Sequence, residues 1–221
     1  MRLCLYPSPS LGAPTLANTT DKTPAQASAA PVRGSEAVRH ALVDAAAHAL
    51  AAAGPSAVSV REVARKAGVN HGQVHHYFGG KRSLLEAAMR QLASEHFAHA
   101  TQRAGSRGIP PALQLADDPG YWRAICHCVM EGDLELAGIE VDEGISVPRR
   151  ALEALMQQFA IADDDLDFRA RFAAVAALQL GWVALEDFVM LISDVGEEDR
   201  DAVRDRVKLL INGWFEASPN P

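Results

Sequence analysis

Residues 58–85, VSVREVARKAGVNHGQVHHYFGGKRSLL, decide the fold. Two short helical patterns flank Gly68, and Lys81 opens a third helix directly behind them. Counted from Val60, the positions that a pair of crossed short helices must bury fall on Val63, Ala64, Ala67, Val69, Val74 and Tyr77, and each holds a suitable residue. Ala64 is small where the helices cross, so their backbones can approach closely. Gly68 accepts the positive φ that the turn requires. Asn70 is expected to cap the second helix, with Gln73 at the spacing of a capping box, and that helix runs through Phe78. This is the layout of a helix-turn-helix that reads DNA; a structural helical hairpin is the alternative.

The flanks supply the rest of a small core. Ser35 to Ala53 predicts a helix with an apolar stripe of Val38, Leu42, Ala45, Ala46, Ala49 and Leu50, closed by Gly54-Pro55. Lys81 to Arg103 predicts one long helix with Leu84, Leu85, Ala88, Met89, Leu92 and Phe97 on its inner side.

The segment from about Ser35 to Leu92 resembles the N-terminal domain of the tetracycline-repressor-like (TetR) family of bacterial transcription regulators. The residues that carry the resemblance are AAAHALAAAG, VREVARKAGVNHGQVHHYF, and the lysine and leucine pair of GGKRSLL. It implies an all-α protein in which the DNA-binding unit is followed by a helical effector-binding and dimerisation domain. The chain departs from the family at His75, where a tyrosine is usual, and at Gly79-Gly80, where polar or charged residues are more common. These departures bear on the phosphate contacts rather than on the fold. The domains expected are 1–34, a disordered tail; 35–90, the DNA-binding unit; and 91–221, the effector and dimerisation part.

Within the second helix of the motif, Val74 and Phe78 should face inward, leaving His71, Gly72, Gln73, His75 and His76 toward the major groove. Gln73 can pair with adenine in a bidentate way, and neutral His71 and His76 can donate to or accept from guanine or a phosphate. Gly72 allows close backbone approach. His75 and Tyr77 stand at the family's phosphate-contacting aromatic positions, and Lys81 with the free amides at its helix start should grip the DNA backbone. Ser59 is a capping candidate and Arg61 a phosphate contact. Plain solvation is the alternative for each of these side chains.

Charge separates the two halves. Residues 1–90 hold ten basic and five acidic side chains and residues 91–221 hold 11 and 23, so +5 faces −12 within a net charge of −7. A polyanion meets the local patch before the remote net charge. Residues 1–34 are rich in Pro, Ala, Ser and Thr and hold too little bulky apolar surface to offset their ordering entropy. They contain no long apolar core of a secretory signal, so a cytoplasmic protein is expected, an over-extended start being the other reading of this stretch.

Cys4, Cys126 and Cys128 are odd in number and fit no disulfide framework. On a helix Cys126 and Cys128 point about 200° apart and share an ion poorly. His71 and His75 lie one turn apart without an acidic or cysteine partner nearby, so neither a metal nor a cofactor is expected.

The second half reads as helices throughout. Pro119-Gly120 introduces one with Trp122, Ile125, Cys126, Val129 and Met130 on its apolar face; Pro148 starts another, with Leu152, Leu155, Met156 and Phe159 as its stripe. Leu166 to Ile192 is apolar almost all round from Phe172 onward, but Gln179, Glu186 and Asp187 interrupt it, which argues for cover by a pocket and a partner subunit rather than by a membrane. Glu197 to Ala217 is similar in place to the family's final dimerisation helix. The dimer candidates are Leu178, Leu185, Val203, Val207, Leu210, Ile211 and Trp214, and the partner is a second copy of the chain.

One recognition helix reads too few base pairs, so a two-fold dimer on double-stranded DNA with a palindromic operator is expected. The resemblance also implies a small-molecule effector that releases the DNA. Trp122, Met130, Met156, Phe159, Trp182, Phe188 and Met190 are its candidate contacts, ordinary core packing being the alternative for each. Paired Glu-x-x-His motifs, a phosphate loop, a nucleophile elbow and zinc spacing are all missing, which speaks against an enzyme. A helical adaptor that has lost DNA binding is the remaining alternative.

Overall fold

The alanine-rich run 45–53 is a strong helix former, and it lies at the heart of α1 (Ser35–Ala57). The computed structural model describes residues 34–105 and 108–216, the side chains of 215 and 216 excepted; the tail expected over 1–34 lies outside them apart from Gly34. Every regular element among the described residues is helical. Gly54 (φ +79°, ψ 167°) breaks α1 as expected, yet the chain does not leave the helix there. Pro55, Ser56 and Ala57 add one further turn on a new axis.

Three short steps follow. α2 (Val60–Lys66) and α3 (Gly72–Phe78) are joined through Gly68, whose φ is +69°, and Gly79 (φ +72°) ends α3 by donating its N–H to the His75 carbonyl at 3.0 Å. α4 (Lys81–Ala104) then runs for 24 residues.

Beyond a 3-10 turn at Gln114–Asp117 come α5 (Pro119–Met130), α6 (Leu134–Ala137), α7 (Ile139–Asp142) and α8 (Val147–Gln158). α7 is a single short turn of helix set between Gly138 and Gly144. α9 (Leu166–Ile192) starts at the Asp165 side chain, which accepts the Phe168 N–H at 2.8 Å. The last helix divides into a 3-10 turn at Glu197–Asp199 and α10 (Arg200–Glu216).

The core is continuous from the motif into the second half. Leu42, Leu50, Val74, Leu84 and Met89 are wholly enclosed together with Ala124, Cys128 and Leu136. Each large side chain so buried stabilises by about 1.5–3 kcal/mol. α1 lies against both α4 and α5, so the reading motif rests on helices from both sides of residue 90.

The buried face of α5 differs from the expected one. Tyr121, Ala124 and Cys128 are inside, Trp122 and Ile125 are half-buried, and Val129 and Met130 are exposed, Met130 by 86%. The reason is the partner: α1 presents alanines, and small Ala124 and Cys128 let the two helices close on each other where bulky residues would hold them apart. Tyr121 is accepted inside because its hydroxyl donates to buried Glu140, which also accepts from Ser146 Oγ at 2.7 Å.

Candidate nucleic-acid interface

The motif positions its side chains through a few buried anchors. Val63, Ala64, Ala67 and Val74 are buried at 1%, 1%, 8% and 0% exposure, and Val69, Tyr77 and Phe78 pack half-buried against them. α3 is therefore fixed by Val74, and the opposite side looks outward. His71, Gly72, His75 and His76 are exposed there; Gln73 and Tyr77 are half-buried. Asn70 caps as expected, its Oδ1 accepting the Gly72 N–H at 2.9 Å, while His71 is already helical (φ −59°, ψ −26°).

Contacts among these residues are few. The His76 and Tyr77 rings meet edge to face at 4.8 Å, and His75 Nδ1 lies 3.3 Å from the Gly79 carbonyl oxygen. Ser59 sits at the start of α2 without a capping bond from its side chain, and Arg61 is exposed beside it. Behind Gly80, α4 opens without a side-chain cap, which leaves the positive end of a 24-residue helix without a capping side chain. Lys81 Nζ donates to the Ser56 carbonyl at 3.0 Å, which ties the start of α4 to the last turn of α1.

Two basic groups near this surface escaped the sequence reading. Lys66 is exposed at the end of α2, and the Arg39 guanidinium lies 5.8 Å from the centre of the Phe78 ring. The Arg39–Phe78 contact links residues nearly 40 positions apart, which no local spacing signals.

The expected effector contacts do not gather at one place in the protomer. Trp122 packs on the core shared with the motif. Met156 and Phe159 belong to a cluster with Leu152, Leu155 and Phe168, beside a groove of about 530 Å³ rimmed by Arg149, Gln157 and Arg169. Trp182 and Met190 lie in a third cluster with Leu113, Val175 and Ile211. Met130 and Phe188 are on the surface. Around Trp182 the polar groups are incompletely matched: Trp182 Nε1 and Gln114 Oε1 are buried with no hydrogen-bond partner among the described residues, while neighbouring Gln179 accepts the Leu113 N–H at 3.2 Å.

The dimer candidates divide as well. Leu178, Val203, Val207 and Ile211 fill the seam between α9 and α10 of the same protomer, whereas Leu185, Leu210 and Trp214 are exposed by 52%, 70% and 45%. Leu180, Phe188, Leu191, Ile192 and Leu209 join the exposed set. Cys128 is enclosed in α5, and burial, with Asp133 and Glu131 nearby, pushes its thiol up to about 11, so it is a protonated packing group.

Comparison with known proteins agrees with this geometry. Residues 42–88 match the sequence profile of bacterial regulatory proteins of the tetR family. The chain is 26% identical over 171 residues to the HTH-type transcriptional repressor Rv3405c of Mycobacterium tuberculosis (strain ATCC 25618 / H37Rv), spanning 77% of this chain and 85% of that one. Over 63 residues it is 49% identical to the HTH-type transcriptional regulator BetI of Rhizobium meliloti (strain 1021), which covers 28% of this chain and 31% of the relative. A tetR-family transcriptional regulator from Streptomyces coelicolor shares the fold, with a TM-score of 0.55 at 20% identity over 85% of this chain and 92% of its own. The outward-facing α3 on its buried Val74 anchor lies within the matched stretch: residues 42–88 are similar to the DNA-binding unit of tetR-family regulators, and the chain is a DNA-binding transcriptional regulator rather than an enzyme.

Proposed function

We propose that the chain is a cytoplasmic repressor that binds an inverted-repeat operator as a homodimer and releases it when a small molecule occupies the helices behind the reading head. The observation that carries the DNA-reading part is α3, anchored inward by Val74 with Tyr77 and Phe78 half-buried beside it, while His71, Gly72, His75 and His76 lie outward near the start of α4. Gln73, His71 and His76 read base edges; Ser59, Arg61, Asn70, His75, Tyr77, Lys81 and the first amides of α4 hold phosphates.

Residues 35–90 supply the reading head and residues 91–221 the effector and dimer functions. The exposed side of α9 supports the dimer. Ala170, Ala173, Ala174, Ala177, Leu180, Ala184, Leu185, Phe188, Leu191 and Ile192 fall on one exposed strip, and its first half is small enough for a second helix to approach closely. The unpaired Trp182 Nε1 and Gln114 Oε1 support an effector near α9, because buried polar atoms without partners are uncommon in native proteins. The relative named as a repressor supports the sign of regulation.

The test separates the roles. On a duplex recovered by the chain from a random pool, Lys81→Ala should weaken binding to all sequences and reduce the slope of affinity against salt, whereas Gln73→Ala should cost about 1–3 kcal/mol at particular base pairs. Fluorescence anisotropy across a panel of single-base variants reads both. Equal losses on every sequence for both variants would remove the assignment.

A further inference from the structure

The last turn of α1 is held at both ends by charged side chains from elsewhere in the chain. Because Gly54 breaks the helix, Pro55-Ser56-Ala57 is a new turn with an uncapped N-terminus of its own. Glu131, at the end of α5, supplies the cap: its Oε2 accepts the Ser56 N–H at 2.9 Å and the Ser56 hydroxyl. These bonds, the hydroxyl's first, hold the Glu131 carboxyl below its ordinary range, with His127 and Lys81 lowering it further. From the other end Lys81 donates to the Ser56 carbonyl. A Cβ on Gly54 would collide with Glu131 Oε1, so the glycine serves the carboxylate as well as the backbone.

A second tie lies alongside. Arg82, next to Lys81, donates to Asp133 at 2.6 Å and Glu135 at 2.9 Å, so residues 131–135 grasp the end of α1 and the start of α4 together. Two residues beyond the clamped turn, α2 begins, with Val58 buried between them. The direction in which α2 and α3 leave the body of the protein is therefore set at this turn.

We propose that Glu131 is a positioning residue for DNA binding: by capping Ser56 it fixes the turn from which the helix-turn-helix departs and keeps Lys81 in register with it. Movement of α5 reaches the reading head through this carboxylate. The proposal rests on the DNA-reading role of α3, but its structural half can be measured without DNA.

The experiment uses the full chain with Glu131→Ala, Glu131→Gln and, as a control, Glu153→Ala, an exposed carboxylate on α8. Hydrogen exchange is followed by mass spectrometry, and affinity by anisotropy on the duplex that the unaltered protein recovers from a random pool. Glu131→Ala is expected to speed exchange in α2 and α3, which Glu131 does not touch, while leaving α8 unchanged. It should also weaken duplex binding about fivefold or more, because the turn that aims the reading head is no longer held. Glu131→Gln, whose amide oxygen still accepts from Ser56, should recover most of both effects. Faster exchange confined to 54–57 with unchanged affinity would overturn the proposal, as would faster exchange in every helix. If the unaltered protein recovers no duplex, the DNA-reading role fails, and exchange in α2 and α3 alone decides the joint.

Discussion

Two glycines in the reading head have the same backbone sign and different surroundings. At Gly68 (φ +69°) a Cβ would meet nothing within 4 Å, so Gly68→Ala should cost only the left-handed strain, about 1–2 kcal/mol. At Gly54 (φ +79°) a Cβ would strike Glu131 and stand 3.1 Å from His127 Cβ, so Gly54→Ala should lower the urea midpoint further. Equal midpoints would mean that Glu131 yields without loss. Gly68 was legible because the turn of a helix-turn-helix demands that φ; the partner of Gly54 was not, since Glu131 lies 75 residues from the turn it caps and reads in sequence as one charge of a solvated face. Asp118 is a second residue of this kind. Burial raises its carboxyl, but hydrogen bonds from His99, His96 and Arg103 outweigh that and leave its pKa below the ordinary value. Since the folded value is the lower one, the contribution is complete above the ordinary carboxylate range and is lost as pH falls through the folded value. Urea unfolding of the unaltered chain and Asp118→Asn should therefore differ at neutral pH and converge in strong acid; a constant difference would contradict it.

At the scale of elements, α2, α3 and the long helices were readable because apolar spacing and caps are local. Leu166–Ile192 is observed with the bounds expected of it, and Asp165 caps it. Facing is harder to read than helicity. The bulky stripe expected on α5 is displaced onto Tyr121, Ala124 and Cys128, because what α5 meets is an alanine-rich α1, and only the tertiary partner says whether large or small residues belong inside. The same limit applies to α9 and α10. A stripe such as Val203, Val207, Ile211 is equally fit for a neighbour in the same chain or in another, and here it closes on α9 of its own protomer. The polar chain of His96 stacked at 4.1 Å on Tyr121, then Glu140 and Ser146, links α4, α5, α7 and the start of α8 and had no signature in the sequence.

For the whole molecule, the division of charge into a basic front and an acidic remainder was visible from composition alone. The assembly makes a separate claim. Leu185 and Phe188 are exposed on α9 and join no apolar cluster among the described residues, so Leu185→Glu with Phe188→Glu should convert the proposed homodimer to a folded monomer. Sedimentation should show the halved mass, with operator affinity falling because one α3 spans one half-site. A variant that sediments as before would place the partner elsewhere. The shared core carries a consequence for chimeric regulators. Grafting only residues up to about 90 onto a foreign body would leave Leu42, Leu50 and Met89 without Ala124, Cys128 and Leu136, and would cut Ser56 off from its carboxylate. The smallest transplant that keeps its own lining therefore extends through Ile145, so in this chain exchanging DNA preference between regulators means exchanging α5 to α7 as well.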